Sequence, residues 1–315
     1  MAQKDIMRRF LFFTDAHLAG ENPEHRIDDF PHAIVEKIRE SYALAEAENC
    51  EFVAFGGDWF NYYRIFNYEV ISDAMDIVCE SRLRTYIVVG EHDIYGHNME
   101  TYASSTLAFF IRHCRHNMVP LWEPTVVGNI MLYGKHEPDK LGDVIAMEKD
   151  ESRINILVCH ELITCNNAPF EMVKTDTLGR TGFDLVVSGD LHDGYRPHEV
   201  EGTWFCNPGS LARRAISDAS RWPQVAIIDI EKGQTPIIQL RRLKCAKAGE
   251  EVFEESIAEI AKKMDVGAST FASELLQFEA ESADVHDLIH KAGTKAGLRP
   301  EVLKYLSEKR VPVAV

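Results

Sequence analysis

The chain has 315 residues, 45% of them hydrophobic, with 50 acidic against 34 basic side chains and a formal charge of −16; it can bury a sizeable core, which excludes global disorder. It holds no apolar run of membrane-spanning length, and MAQKDIMRRFLFF is not an apolar segment with a small-residue cleavage site behind it, so a soluble, intracellular protein is expected. The acidic balance argues against unaided, non-specific nucleic-acid binding, which rests on a basic footprint.

In chain order, short β-rich apolar runs alternate with helical stretches, the pattern of a layered α/β architecture. Residues 10–13 make the first run, and residues 33–48 follow as a helix in which Ile34, Ile38, Tyr42 and Ala45 recur at helical spacing. A strand at 52–55 leads to a helix at 68–81 and a strand at 86–89. Further strands are predicted at 130–133, 154–159, 185–188, 204–206 and 225–230, with one more at 237–243. Beyond it Phe253, Ile257, Ile260 and Met264 share one helical face, Phe271, Leu275 and Phe278 a second, and Pro300 suits the first turn of a last helix. The expected division is a main domain over residues 1–235 and a mostly helical region over 236–315, either a cap or a partner-docking surface. Arg241 onward holds 12 basic and 13 acidic residues, so nearly all the excess acid lies in the first 240. The seven cysteines are scattered without a C-x-x-C and read as core thiols, neither a disulfide framework nor a zinc knuckle.

The turns at the ends of the strands carry the chemistry. Phe13-Thr14-Asp15-Ala16-His17, Gly56-Gly57-Asp58, Gly90-Glu91-His92-Asp93, Cys159-His160-Glu161 and Gly189-Asp190-Leu191-His192 each place Asp, Glu or His where loops leave the carboxyl ends of strands. Oxygen and imidazole donors without thiolates suit Mn, Fe, Mg or Zn in a hydrolytic role. A carboxylate shared by two cations holds them about 3.5–4 Å apart, the arrangement that clamps both oxygens of a phosphoryl centre, and Asp58, central in the series, is the best bridge.

This ordered series resembles the calcineurin-like metallophosphoesterase superfamily, whose pattern is D-x-H, G-D, G-N-H-D, an isolated H and G-H-x-H. Within it the chain looks most like SbcD-type nuclease subunits of DNA double-strand-break repair complexes, including phage relatives. Phe12-Phe13-Thr14-Asp15-Ala16-His17-Leu18, Gly57-Asp58-Trp59-Phe60 and Asn207-Pro208-Gly209-Ser210-Leu211-Ala212-Arg213 carry that likeness, over residues 9–230. The resemblance implies a four-layered α/β core, two sheets flanked by helices. It implies one metal held by Asp15, His17, Asp58 and His192, and a second held by Asp58, Glu91, His160 and Asp190. His92 would protonate the leaving oxygen or steady the phosphate, with Asp93 orienting it. It further implies a DNA exonuclease or endonuclease, with manganese ahead of magnesium or iron(II), working beside an SMC-like ATPase of the SbcC type. A homodimer and a cytoplasmic setting in a bacterium or a phage-infected host complete the expectation.

Two departures fall in the second metal site: the family's Asn is Glu91, and the first His of G-H-x-H is Asp190. Both replacements remain oxygen ligands, and ionised Asp15, Asp58, Glu91 and Asp190 should favour hard ions such as Mn2+ or Mg2+ over zinc. The alternatives are a stand-alone phosphodiesterase or phosphatase on nucleotides or small phosphoesters, and a scaffold with a degenerate second site. Tyr62, among the aromatics after Asp58, could stack on a base or line a substrate groove, with packing as the plainer reading. Arg213 and Arg214 could contact phosphate or form surface ion pairs. His136 reads as a surface or turn residue, and Glu161 as a group orienting His160 or an exposed charge. No G-x-x-x-x-G-K-[ST] occurs, so any ATPase must be a partner.

Overall fold

Alternation along the strands decides the layering. In β1 (Arg8–Phe13) Phe10 and Phe12 point to one side, Leu11 and Phe13 to the other, and all four are wholly buried, as happens when both faces of a sheet are covered. The structure, a computed structural model, describes residues 7–165 and 172–254. Its first sheet runs β14-β13-β1-β2-β3-β4, with β2 (Phe52–Phe55), β3 (Arg84–Ile87), β4 (Met118–Pro120), β13 (Gln224–Ile230) and β14 (Ile237–Arg242). β1 to β4 are mutually parallel; β13 and β14 add antiparallel strands at one side.

The second sheet has the order β11-β12-β10-β7-β6-β5 and comprises β5 (Thr125–Val127), β6 (Ile130–Lys135), β7 (Ile154–His160), β10 (Leu185–Gly189), β11 (Tyr195–Val200) and β12 (Thr203–Asn207). Two short strands, β8 (Ile163–Thr164) and β9 (Val173–Lys174), pair separately. Between the sheets Phe10, Phe12, Phe52, Ala54 and Tyr86 meet Leu132, Ile154, Ile156, Val158, Leu185 and Val187. The far face of the first sheet packs on α1 (Phe30–Ala47), α2 (Tyr68–Glu80) and α3 (Thr106–His113) through Ile34, Ile38, Val70, Ala74 and Phe110. The far face of the second meets α4 (Leu141–Ala146) and α5 (Thr175–Leu178) through Val144 and Leu178. The expected α/β architecture of two sheets flanked by helices is therefore present.

Caps set the helix starts: Asp29 accepts the His32 N–H at 3.3 Å, and Asn67 accepts that of Val70 at 3.4 Å. The predicted strands and helices reappear with ends shifted by a few residues. β4, β5, β8, β9 and β11, with α4 and α5, have no counterpart among the predicted elements; they are short or half-exposed, so they lack a long apolar pattern. The first sheet continues through β14, and the first compact unit ends with α6 (Gly249–Val252), beyond residue 235. The helical faces read from Ile257 onward lie outside the described residues. Among the cysteines, Cys50, Cys114, Cys159 and Cys206 are buried but Cys79, Cys165 and Cys245 are exposed, and the Cys79 sulfur lies 2.6 Å from that of Cys114. No helix among the described residues is long and apolar enough to cross a membrane.

Candidate metal centre

Five strand ends feed one site. Asp15 and His17 follow β1, Asp58 follows β2, and a single 3-10 turn, Glu91–Asp93, follows β3; His160 is the last residue of β7, and Asp190 and His192 follow β10. Asp15, His17, Asp58 and Asp190 all lie in the left-handed region, with φ of 52°, 43°, 56° and 74°. For residues other than glycine this costs on the order of 1–3 kcal/mol each and persists only when the surroundings hold it.

The holding groups are visible. Asp15 N–H donates to the Gly57 carbonyl at 3.1 Å and His17 N–H to that of Asp58 at 3.0 Å, sewing the first two loops together. The Asp190 N–H donates to the Asp15 carboxylate at 3.2 Å, and Thr14 Oγ1 donates to the same group at 2.7 Å. Ser210, in the Asn-Pro-Gly-Ser segment after β12, joins two more: its N–H donates to the His192 carbonyl and its hydroxyl to that of Asp15, both at 2.9 Å. Gly57 (φ +99°) is required for space as well as conformation, since a Cβ there would overlap the His160 ring.

Ligand atoms gather into four overlapping groups: Asp15 with His17 and His192, His17 with Asp58 and His92, Asp15 with Asp58 and His160, and Glu91 with His160 and Asp190. The atoms of each lie within 4.8 Å of one another, and the first and last of these groups share no residue. Asp58 stands between them: its Oδ2 is 3.7 Å from His17 Nε2 and 3.7 Å from His160 Nε2. The seven residues the sequence singles out as ligands are thus brought together, with His92 beside them.

The donor chemistry fits divalent cations. His160 donates from Nδ1 to the Gly56 carbonyl at 2.8 Å, which turns Nε2 inward; that nitrogen is buried without a well-aligned hydrogen bond, 3.4 Å from Glu91 Oε2. His17 Nε2 and His192 Nε2 approach to 3.1 Å, where two lone pairs repel unless a proton or a cation lies between them. Burial raises the Asp58 carboxyl well above its usual range, reinforced by Asp93, Asp15 and Glu91, while Asp190 is pushed up to about 7, chiefly by burial. Burial alone would lower His160, but Asp58, Glu91, Asp15 and Asp190 carry it well above an ordinary histidine; the close approach of that ring draws Glu91 down to about 2. Carboxylates this crowded favour a bound positive charge.

The remaining expected residues divide. His92 donates from Nδ1 to the Asn61 carbonyl at 2.8 Å and aims Nε2 at the cluster, 4.0 Å from Asp58 Oδ2. Asp93 does not orient that ring. Its buried carboxylate accepts the N–H groups of Asp58, Trp59, Phe60 and Gly90 at 3.1–3.3 Å, so it shapes the Asp58 loop instead. Arg213 is 1% exposed and donates to the Ala219, Arg221 and Lys247 carbonyls, which removes it from any phosphate. Arg214 bonds the Asn61 side chain, and the pKa values of His17, His92 and His192 are lowered first by burial and further by Arg214. Trp59 and Phe60 are core; Tyr62 is exposed and borders the site.

Sequence reading missed Asn61, which holds both His92 and Arg214; its signal was a lone amide inside an aromatic run. It also misread His136, which is buried, accepts the Val89 N–H and donates to the Leu121 carbonyl. Glu161 pairs at 2.9 Å with Lys135, whose ammonium donates to the His160 carbonyl, so it supports a ligand at one remove.

Residues 8–194 match the family model of calcineurin-like phosphoesterases. A purple acid phosphatase from yellow lupin (Lupinus luteus) seeds aligns with 76% of this chain and 52% of its own at 12% identity and a TM-score of 0.51, a likeness of fold alone. A dimetal phosphatase from Danio rerio aligns over 73% of this chain and 98% of its own (11% identity, TM-score 0.45), and a protein of Thermus thermophilus over 75% and 99% (14%, 0.47). No curated protein matches the sequence.

Proposed function

The chain belongs to the calcineurin-like phosphoesterase family, and from that premise we propose that it is a dinuclear metal-dependent phosphodiesterase that cleaves DNA as the catalytic subunit beside an SMC-like ATPase. The observation that carries the phosphodiesterase reading is the double ligand group centred on Asp58. Two divalent cations held there would supply Lewis acidity and an activated water for attack on phosphorus. The family works with divalent metals; manganese is our proposal, because four carboxylates at one site suit a hard, oxygen-preferring ion.

The chain's own residues do the rest. Asp15, His17 and His192 form one half of the cradle, Glu91, His160 and Asp190 the other. Asp93 fixes the Asp58 backbone, so the shared carboxylate is in place before substrate arrives. His92 presents Nε2 to the reacting side, and Arg214 supplies positive charge at the rim, suited to a phosphate oxygen. Burial, with Arg214, lowers the His92 pKa, so the free protein holds the ring neutral; the negative charge of a bound phosphate raises it toward the imidazolium that a proton donor needs.

The DNA reading rests on the SbcD-like motifs around Asp15, Asp58 and Ser210, and on a groove that reaches Glu91 and His92. The acid excess favours a second reading, a phosphodiesterase of small esters. Protein reconstituted with Mn2+ is incubated with linear duplex DNA, with and without the candidate ATPase, and with bis(p-nitrophenyl) phosphate. DNA cleavage that requires the partner supports the first reading, and ester turnover without DNA cleavage selects the second. Asp58→Asn should abolish both activities and reduce bound metal from two ions per chain; an unchanged variant would overturn the Asp58-centred site, and a parent protein with no turnover to lose would show that the fold serves only as a scaffold.

A further inference from the structure

Beside the ligand groups lies a set of aromatic rings that the hydrolytic chemistry does not use. A groove of about 410 Å³ is lined by Tyr62, Tyr63, Arg64, Tyr95, Glu91 and His92, so the aromatic wall and the reacting face share one depression. Tyr62 is 56% exposed and Tyr95 68%, and Phe66 and Tyr68 in the same segment are exposed as well. Exposed large apolar groups concentrated in so short a stretch mark a binding surface. Trp59 and Phe60, immediately before, are fully buried, so the segment divides into rings that serve the core and rings that do not.

The wall is built, not loose. Tyr63 is pinned by a 3.1 Å hydrogen bond between its hydroxyl and Ser104 Oγ, and the Arg64 guanidinium covers one of its faces at 4.7 Å from the ring centre. Arg64 is tethered in turn to the Ser104 carbonyl at 3.0 Å. Tyr95 stands next to Tyr63, ring centres 5.7 Å apart and planes tilted by 51°. Tyr62 also lines a second groove, of about 210 Å³, with Asn61 and Arg214, so the one ring borders both grooves.

We propose that Tyr62 and Tyr95 form a stacking platform for an unpaired nucleobase, with Tyr63 and Arg64 as its fixed wall, so that the phosphodiester presented to the metal centre belongs to a single-stranded or frayed nucleic-acid strand. This rests on the phosphodiesterase reading above and narrows its substrate. Stacking suits the observed surface because every base has a π face and Tyr provides a rigid ring with few rotors, and in a chain of formal charge −16 it supplies affinity that does not come from net charge. Rings beside the reacting face could bind one nucleotide while an adjoining phosphate lies near His92 and Arg214.

The test is a binding measurement that needs no turnover. Fluorescence anisotropy compares a labelled oligothymidylate with an oligomer of equal length whose residues are abasic, in Mn2+ or in Ca2+. The platform predicts tighter binding of the base-bearing strand by roughly 5- to 150-fold, the effect of one stacked base. That preference should collapse in Tyr62→Leu and in Tyr95→Leu, and survive in Tyr62→Phe, which keeps the ring. Equal binding of the two oligomers, no binding of either at millimolar concentration, or a preference that both leucine variants retain would overturn the platform. Base preference without cleavage of any diester leaves the platform standing while the nuclease reading fails; cleavage without base preference does the reverse.

Discussion

At the level of single residues, adjacent side chains of one type have opposite fates. Arg213 and Arg214 are neighbours, yet the first is sealed against three carbonyls and the second reaches the rim of the site. Removing them should therefore separate stability from binding. Arg213→Leu is expected to lower the melting temperature by an amount matching roughly 2–3 kcal/mol, the cost of orphaning buried polar groups. Arg214→Leu should leave melting within about 0.5 kcal/mol, the usual range for a side chain outside the core, and raise KM for a phosphodiester several-fold. Thermal denaturation and steady-state kinetics on the same two proteins check both halves, and equal behaviour of the pair would refute the division. The departures from the family pattern act at this scale too. Glu91 and Asp190 keep oxygen donors beside His160, which is what a re-tuned second site requires and a decayed one does not.

Loops and helices carry the next set of constraints. The strand-end loops are held in strained backbone by one another, so a small change in one should propagate. Gly57→Ala forces a methyl group into the His160 ring and is expected to drop metal content toward one ion per chain, read by mass spectrometry, while the sheet persists by circular dichroism. On α1, Lys37 is buried and donates to the Leu211 carbonyl at 3.2 Å, next to the segment that joins the Asp15 and His192 loops. Burial, helped by Arg26 and Arg213, lowers its pKa from 10.5 to about 7. Between those values the unfolded chain binds a proton that the native chain does not, so stability rises with pH across the window. Below pH 7 the full penalty applies, several kcal/mol, because each tenfold loss of proton affinity is worth about 1.36 kcal/mol. Lys37→Met forfeits one hydrogen bond, about 1 kcal/mol, but should melt higher than the parent at pH 6.5, with the advantage shrinking steadily toward pH 10. A gap independent of pH would show that Lys37 is charged in the native state throughout.

For the molecule as a whole, the decisive quantity is the charge. Four of the acids in the first 240 residues are Asp15, Asp58, Glu91 and Asp190, so metal loading relieves the negative field where a phosphate must enter but leaves the surface acidic. On duplex DNA at about 0.15 M salt the chain alone should bind no tighter than roughly 10 µM, within the non-specific range. A basic Walker-motif partner should tighten binding at least tenfold, with a steeper salt dependence. Submicromolar binding by the isolated chain would sink the requirement for a partner.

Much of this is legible in the sequence. The β1 and β2 strands and the α1 and α2 helices follow from apolar periodicity, and the ligand types follow from their place at strand ends, because both depend on neighbours in sequence. What sequence could not decide was which side chains meet. Asp93 looked like an aid to His92 and instead binds three amides of the Asp58 loop and that of Gly90; Arg213 looked like a phosphate contact and is core; His136 looked exposed and is buried. Each of these depends on the packing of segments far apart in the chain. By itself, the sequence determined the layered architecture and the chemistry available at the strand ends. Only tertiary structure decided that Asp58 stands 3.7 Å from histidines of both groups, because two sheets must stack before the loop of Asp58 faces His160, and that Tyr62 and Tyr95 share a groove with His92, because β2 and β3 must pair in parallel before the loops that follow them meet.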